Sequence, residues 1–140
     1  MSREEQDARL ARQTQQQIAY SAARAAEREN TVNLITKTQQ AQLLENGDNP
    51  EGHKPVVKLF TPWGGATWLI SEIDPHDHDQ WFGLCDLGQG YPELGWVSIS
   101  EITSVRGPGG LKVERDLHFT ADKSLEAYAD AARVAGRIIA

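Results

Sequence analysis

Two clusters of polar side chains have the residue types and spacing for chemistry. In Pro75-His76-Asp77-His78-Asp79, a His-x-His pair with flanking carboxylates offers imidazole nitrogen and hard oxygen ligands. In an extended segment alternate residues share a face, so His76 and His78 could close on one cation with Asp86 as an oxygen donor. A second set comes from strand alternation in Leu111–Phe119. Glu114, Asp116 and His118 point one way there, and Leu111, Val113, Leu117 and Phe119 the other. If Glu72 and Asp86 share that outer face, carboxylates gather around one imidazole and could activate water on a bound metal. Each set also has a plainer reading: a solvated connection between strands, and the wet face of an antiparallel sheet with Lys112 and Arg115 as counter-charges. The plainer readings are the ones adopted, because a zinc site needs three or four converging ligands and a supporting shell. The small metal-dependent hydrolase or nuclease stays as the alternative, with His118, Asp116 and Glu114 catalytic.

Other reactive groups point away from catalysis. Cys85 is the only cysteine, lies in an apolar run and is surrounded by acidic sequence, which would raise its pKa. It reads as a structural thiol in a reducing, cytoplasmic setting. The glycine pairs at 64–65 and 109–110 lack the spacing of a phosphate-binding loop and read as turns. No cofactor is expected.

Charge narrows the class of partner. Between Leu59 and Val105 there is no Lys or Arg, yet this stretch carries seven carboxylates and all four tryptophans. The whole chain has a net charge of −6. Such a surface repels phosphate, so direct duplex-DNA binding is not expected, and a protein partner with a basic surface is. Exposed aromatic tips in an acidic rim are the natural anchors. Trp63 in a hairpin turn and Tyr91 beside Pro92 fit that description, with Asp77, Asp79 and Glu93 as the charged contacts. No apolar run is long enough to span a membrane, and the polar N-terminus has no secretory character.

The elements that must position these residues follow from pattern. Residues 1–31 are rich in Ala, Gln, Arg and Glu, and Ser2 with Glu5 has capping-box spacing, so a helical N-terminal extension is expected. Its Ala8, Ala11, Gln15, Ile18, Ala22, Ala25 and Glu29 seam is thin. It reads as a solvated helix, with homo-oligomerisation as the sharper alternative. Residues 32–140 form a single α+β domain. Thr36 and Gln39 box a short helix stopped at Asn46-Gly47. Val56–Thr61 and Ala66–Ile73 make a hairpin, Trp81–Leu87 a third strand, Leu94–Val97 a fourth and Leu111–Phe119 a further one. A short helix runs from Ser98 to Arg106. A last helix, capped by Asp122 or Ser124, puts Leu125, Tyr128, Ala129, Ala132, Ala135 and Ile139 on one face. The expected architecture is an antiparallel β-sheet packed against this C-terminal helix.

Several of these runs together resemble a known family. They are Lys54-Pro-Val-Val-Lys-Leu-Phe-Thr-Pro62, Ala66-Thr-Trp-Leu69, Glu72-Ile-Asp-Pro75, Phe82-Gly-Leu-Cys-Asp-Leu-Gly88, Pro92-Glu-Leu-Gly95 and Glu114-Arg-Asp-Leu-His-Phe119. They resemble, over about Asn33 to Ile138, small uncharacterised proteins with a domain-of-unknown-function label. These are encoded mainly on proteobacterial conjugative plasmids, integrative elements and prophages. The resemblance implies an accessory role in a mobile element, such as antagonism of host defence, and brings no catalytic residues with it. The leading expectation is a non-enzymatic, cytoplasmic accessory protein that covers a basic surface of a host or plasmid protein with an acidic, Trp-containing face.

Overall fold

The computed structural model describes residues 2–7 and 34–140. Ser2 and Glu5 form the expected capping box: Ser2 Oγ accepts from the Glu5 N–H at 3.2 Å, and Glu5 Oε2 accepts from the Ser2 N–H at 3.4 Å. Residues 3–7 are helical. The heptad seam expected from Ala8 to Glu29, and with it the oligomerisation reading, lies outside the described residues.

Helix α1 (Lys37–Asp48) opens on a full capping box. Thr36 Oγ1 accepts from the Gln39 N–H at 3.1 Å, and Gln39 Oε1 accepts from the Thr36 N–H at 3.0 Å. The helix does not stop at Asn46-Gly47 as expected. Gly47 lies so close to the sheet that a Cβ there would sit 1.9 Å from the Ile73 carbonyl oxygen. Its role is close approach rather than termination.

Four strands follow as a meander: β1 (Val57–Phe60), β2 (Thr67–Asp74), β3 (Asp77–Asp86) and β4 (Glu93–Ser98). A two-residue β5 (Glu114–Arg115) adds to the outer side of β1, giving an antiparallel sheet of order β4-β3-β2-β1-β5. Helix α2 (Ile99–Ser104) follows β4, and helix α3 (Leu125–Ala135) comes after β5. Ser98 Oγ caps α2 by accepting from the Glu101 N–H at 3.3 Å, and Ser124 Oγ caps α3 by accepting from the Ala127 N–H at 3.2 Å.

The sheet is covered on both faces, which makes three layers. Val57, Leu59, Trp68, Ile70 and Trp81 pack with Leu43 of α1 and Ile99 and Ile102 of α2. On the other face Leu69 and Leu84 pack with Leu125, Tyr128, Ala129 and Ala132 of α3. The expected sheet against a C-terminal helix is therefore present, and α1 with α2 closes the face that the sequence reading left open. Burying both faces explains why Trp68–Ile73 of β2 are buried without a break.

Two element boundaries are corrected. The Asp74–Gln80 connection is not a loop: β3 starts at Asp77, and only a tight turn at Pro75-His76 separates it from β2. The long strand Leu111–Phe119 shrinks to Glu114–Arg115, because Asp116 Oδ1 accepts from the His118 N–H at 2.9 Å and turns the chain off the sheet. Leu117 is consequently 74% exposed instead of inward-facing. Helix α3 ends at Gly136 (φ 74°), so Ile139 lies beyond it and is exposed.

Candidate functional site

The site is built by an irregularity in β2. Ile70 pairs with Gly83, but the next pair is Glu72 with Phe82, so Ser71 is an extra residue in the ladder. Such a bulge re-aims every side chain after it, because strand residues alternate between faces. Without it Glu72 would share the face of Ile70 and point into the core beneath α1. With it Glu72 shares the face of Phe82. Two features hold the bulge in place. Asn46, buried in α1, donates from Nδ2 to the Ser71 carbonyl at 2.9 Å, while its Oδ1 accepts from Gln42 Nε2 at 2.8 Å. Gly83 gives the room, since a Cβ there would lie 2.1 Å from the Leu69 carbonyl oxygen.

Glu72 lines a cleft of about 310 Å³ on the α3 side of the sheet. Its apolar side is formed by Phe82 of β3 with Leu94 and Trp96 of β4. Leu94 and Trp96 are two apart on one strand and so share a face. The Phe82 and Trp96 rings meet edge to face, with centroids 5.3 Å apart and 61° between their planes. Trp96 is 50% exposed, and no other tryptophan is among the exposed large apolar residues. The remaining lining includes His53, from the loop before β1, and Leu125 and Glu126, from the first turn of α3. The His53 carbonyl accepts from the Leu125 N–H at 3.0 Å and ties loop to helix. His53 Nε2 faces the Asn49 carbonyl. A carbonyl can only accept, so that nitrogen carries the proton.

The electrostatics centre on Glu72. The residue is only 9% exposed. Its carboxylate has no hydrogen-bond or ion-pair partner among the described residues, and no buried side-chain oxygen there is sealed from solvent without one. Burial pushes its carboxyl above the usual range, and the field of His53 partly offsets the shift. Glu126 is exposed at the rim. The result is an aromatic-walled cleft lined by a carboxylate that no other side chain hydrogen-bonds among the described residues.

The residues singled out in sequence are distributed otherwise. Thr67 pairs with Asp86 and Glu93 with Cys85, so Trp63, Tyr91 and Glu93 lie toward one end of the sheet. Asp77 and Asp79 lie at the other end of the ten-residue β3, roughly 20–26 Å from Cys85 at the rise of a strand. These five do not converge. Trp63 is no exposed tip: its ring packs so closely on Gly107 that a Cβ there would lie 2.2 Å from it. Asp79 has a structural role. Its Oδ1 accepts from the Ser100 N–H at 2.8 Å, and its Oδ2 accepts from the Ser98 hydroxyl at 2.6 Å. Tyr91, by contrast, is 80% exposed, and Asp77 and Glu93 are exposed.

The proposed catalytic and metal sets do not assemble either. Glu114, Asp116 and His118 lie on or just after β5, two strands from Glu72. Asp116 pairs with Lys58 at 3.5 Å. Its carboxyl sits below the usual range, mainly because it accepts from the His118 N–H and also because of Lys58. Asp86 is buried and engaged at both oxygens, accepting from the Gly88 N–H at 2.8 Å and the Ile138 N–H at 2.9 Å. It anchors the C-terminal tail and cannot join His76 and His78, which are exposed at the far end of β3. Among the described residues no group of three or more His, Cys, Asp or Glu could hold a metal ion. The half-buried Cys85 thiol is pushed up, chiefly by burial and further by Asp86 and Glu93.

A family model described as a protein of unknown function (DUF2958) matches residues 34–139. The chain belongs to the DUF2958 family. Comparison with curated proteins and with solved structures gave no match. Every residue named in the cleft falls inside the DUF2958 match, so the site is a feature of the family domain and not of the N-terminal extension. No helix among the described residues is long and apolar enough to cross a membrane.

Proposed function

We propose that this DUF2958 protein is a non-enzymatic accessory protein of a mobile genetic element. In this reading it acts in the cytoplasm and binds a basic surface of a host or plasmid protein, as an antagonist of host defence would. Capture takes place at the Glu72 cleft and not at the scattered acidic tips. One observation carries the reading: Glu72, a residue only 9% exposed whose carboxylate has no hydrogen-bond partner among the described residues, lines an aromatic cleft beside the sheet edge. Leaving such a charge unmatched costs stability, a pattern typical of groups kept for function. The half-exposed Trp96 supplies the aromatic anchor that interfaces favour. β4 is an edge strand, so a partner backbone can approach the cleft from that side. The hydrolase reading gains no comparable support, because its residues stand apart.

The test is capture by the tagged full chain from host lysate, with bound proteins identified by mass spectrometry. Wild type, a Glu72→Gln/Glu126→Gln variant and an Asp77→Asn/Glu93→Gln variant are compared at low and moderate salt. The expected result is one basic partner that weakens as salt rises. It should be lost from the cleft variant and kept by the tip variant. No partner, or capture indifferent to the cleft variant, overturns the reading.

A further inference from the structure

The chemistry of the cleft goes further than partner class, and this step rests on the cleft being the capture site. We infer that the group that enters it is the guanidinium of an arginine side chain, held between the Glu72 carboxylate and the Phe82–Trp96 aromatic wall.

Size sets the first limit. At about 310 Å³ the cleft is at the lower end of small-molecule sites, which run from roughly 300 to 1,000 Å³. It suits one long side chain and is cramped for a nucleotide, whose phosphates the two carboxylates would also repel. Charge sets the second. Glu72 is a largely covered residue whose carboxylate opens on the cleft with no hydrogen bond or salt bridge among the described residues, and Glu126 stands at the rim. A cation that reaches Glu72 gains an interaction that water supplies poorly in the cleft, and Glu126 adds attraction at the mouth.

Geometry then separates arginine from lysine. A guanidinium is planar, donates two parallel N–H groups to one carboxylate and stacks on aromatic faces. It is also more weakly hydrated than an ammonium, so entering a confined cleft costs it less. Here a carboxylate and a pair of edge-to-face rings line the same space, which matches both faces of that chemistry. The titratable groups that face the site are Glu72, Glu126 and His53. A proton gained by Glu72, whose carboxyl burial pushes above the usual range, removes the charge that holds a cation, so binding weakens as pH falls.

The probe is N-acetyl-L-arginine amide, titrated into the full chain while the indole N–H of Trp96 and the backbone amides of Glu72 and Leu125 are followed by NMR. The lysine analogue and the neutral citrulline analogue serve as comparisons. The expected result is saturable binding of the arginine probe, weaker binding of lysine and none of citrulline. Glu72→Gln should lose at least about tenfold, in line with the ~1.5–3 kcal/mol of a charged hydrogen bond. Trp96→Ala, at a half-exposed position that tolerates truncation, should weaken arginine more than lysine. No shift with arginine, equal binding of citrulline, or unchanged affinity in Glu72→Gln overturns the inference. If a basic partner is captured through the cleft while the arginine probe fails, only this inference falls. If the probe binds and no partner is captured, the site stands and the protein-binding function falls.

Discussion

Replacing Glu72 by glutamine removes a charge while keeping the side chain's length and shape, so it isolates what the carboxylate does to the fold. In the native protein the residue is largely covered and its carboxylate, which still reaches solvent, gains no hydrogen bond among the described residues. The penalty for a buried polar group left unmatched is about 1–3 kcal/mol, and more for a charged one. Solvent at the carboxylate screens much of that cost, so the neutral amide is expected to recover about 0.5 kcal/mol. In a domain of roughly 100 residues, 1 kcal/mol moves the melting temperature by ~4–8 °C. Glu72→Gln should therefore melt about 3 °C higher than wild type at pH 7. The effect has a definite pH signature. Folded Glu72 holds its proton more tightly than the unfolded side chain, whose ordinary value is 4.5. Between that value and the raised folded one, the native state binds more protons, so wild-type stability falls as pH rises through the window. Above the window the penalty is fully present. Below 4.5 the carboxyl is neutral in both states and the two proteins converge. Other carboxylates behave oppositely: Asp116, held low, loses its stabilising contribution as pH falls through its folded value. Subtracting the variant's curve from the wild type's cancels those contributions. Differential scanning calorimetry of both proteins from pH 4 to pH 8 is the assay. Equal melting at pH 7, or a gap that does not shrink toward acid, refutes the reasoning.

The helix–bulge contact and the tail anchor give further expectations. Gly47→Ala places a methyl 1.9 Å from the Ile73 carbonyl oxygen, and should cost about 3 kcal/mol in urea unfolding. Gly95→Ala meets nothing within 4 Å and should stay within ~0.5 kcal/mol of wild type. Asp86→Ala removes the acceptors of the Gly88 and Ile138 N–H groups. A loss of about 3 kcal/mol is expected, with faster amide exchange at Ile138 read by NMR.

Local signals in the sequence were reliable where the physics is local. The Ser2/Glu5 and Thr36/Gln39 boxes and the caps at Ser98 and Ser124 each join a hydroxyl to an N–H three residues on. The apolar stripe of α3 was readable for the same reason, as was the antiparallel sheet it covers. What failed depends on contacts distant in sequence. Asn46-Gly47 has the chemistry of a helix stop, but here Asn46 reaches Ser71, 25 residues away, and Gly47 lets helix and sheet touch. The same contact supports the bulge that turns Glu72 away from α1. Pattern alone pooled Glu72 with Asp86, Glu114 and His118; the register does put Glu72, Asp86 and Glu114 on the α3 side, but at separate places along the sheet. The available hint was Gly83, since a glycine inside a strand marks a bulge or a close approach. Trp63 and Trp96 were exchanged for a related reason. A turn residue looks exposed in sequence, but Gly107 folds back to cover Trp63, while Trp96 sits on an edge strand that nothing in its own segment marks as an edge.

The most direct measurement is residue-resolved NMR of the isotope-labelled chain with and without the captured basic partner. If the Glu72 cleft is the capture site, the Trp96 indole and the amides of Glu72, Phe82 and Leu125 shift together. The Trp63 indole and the Pro75-His76 turn stay in place. Shifts confined to that turn, or to Tyr91 and Glu93, with the cleft silent, would contradict it.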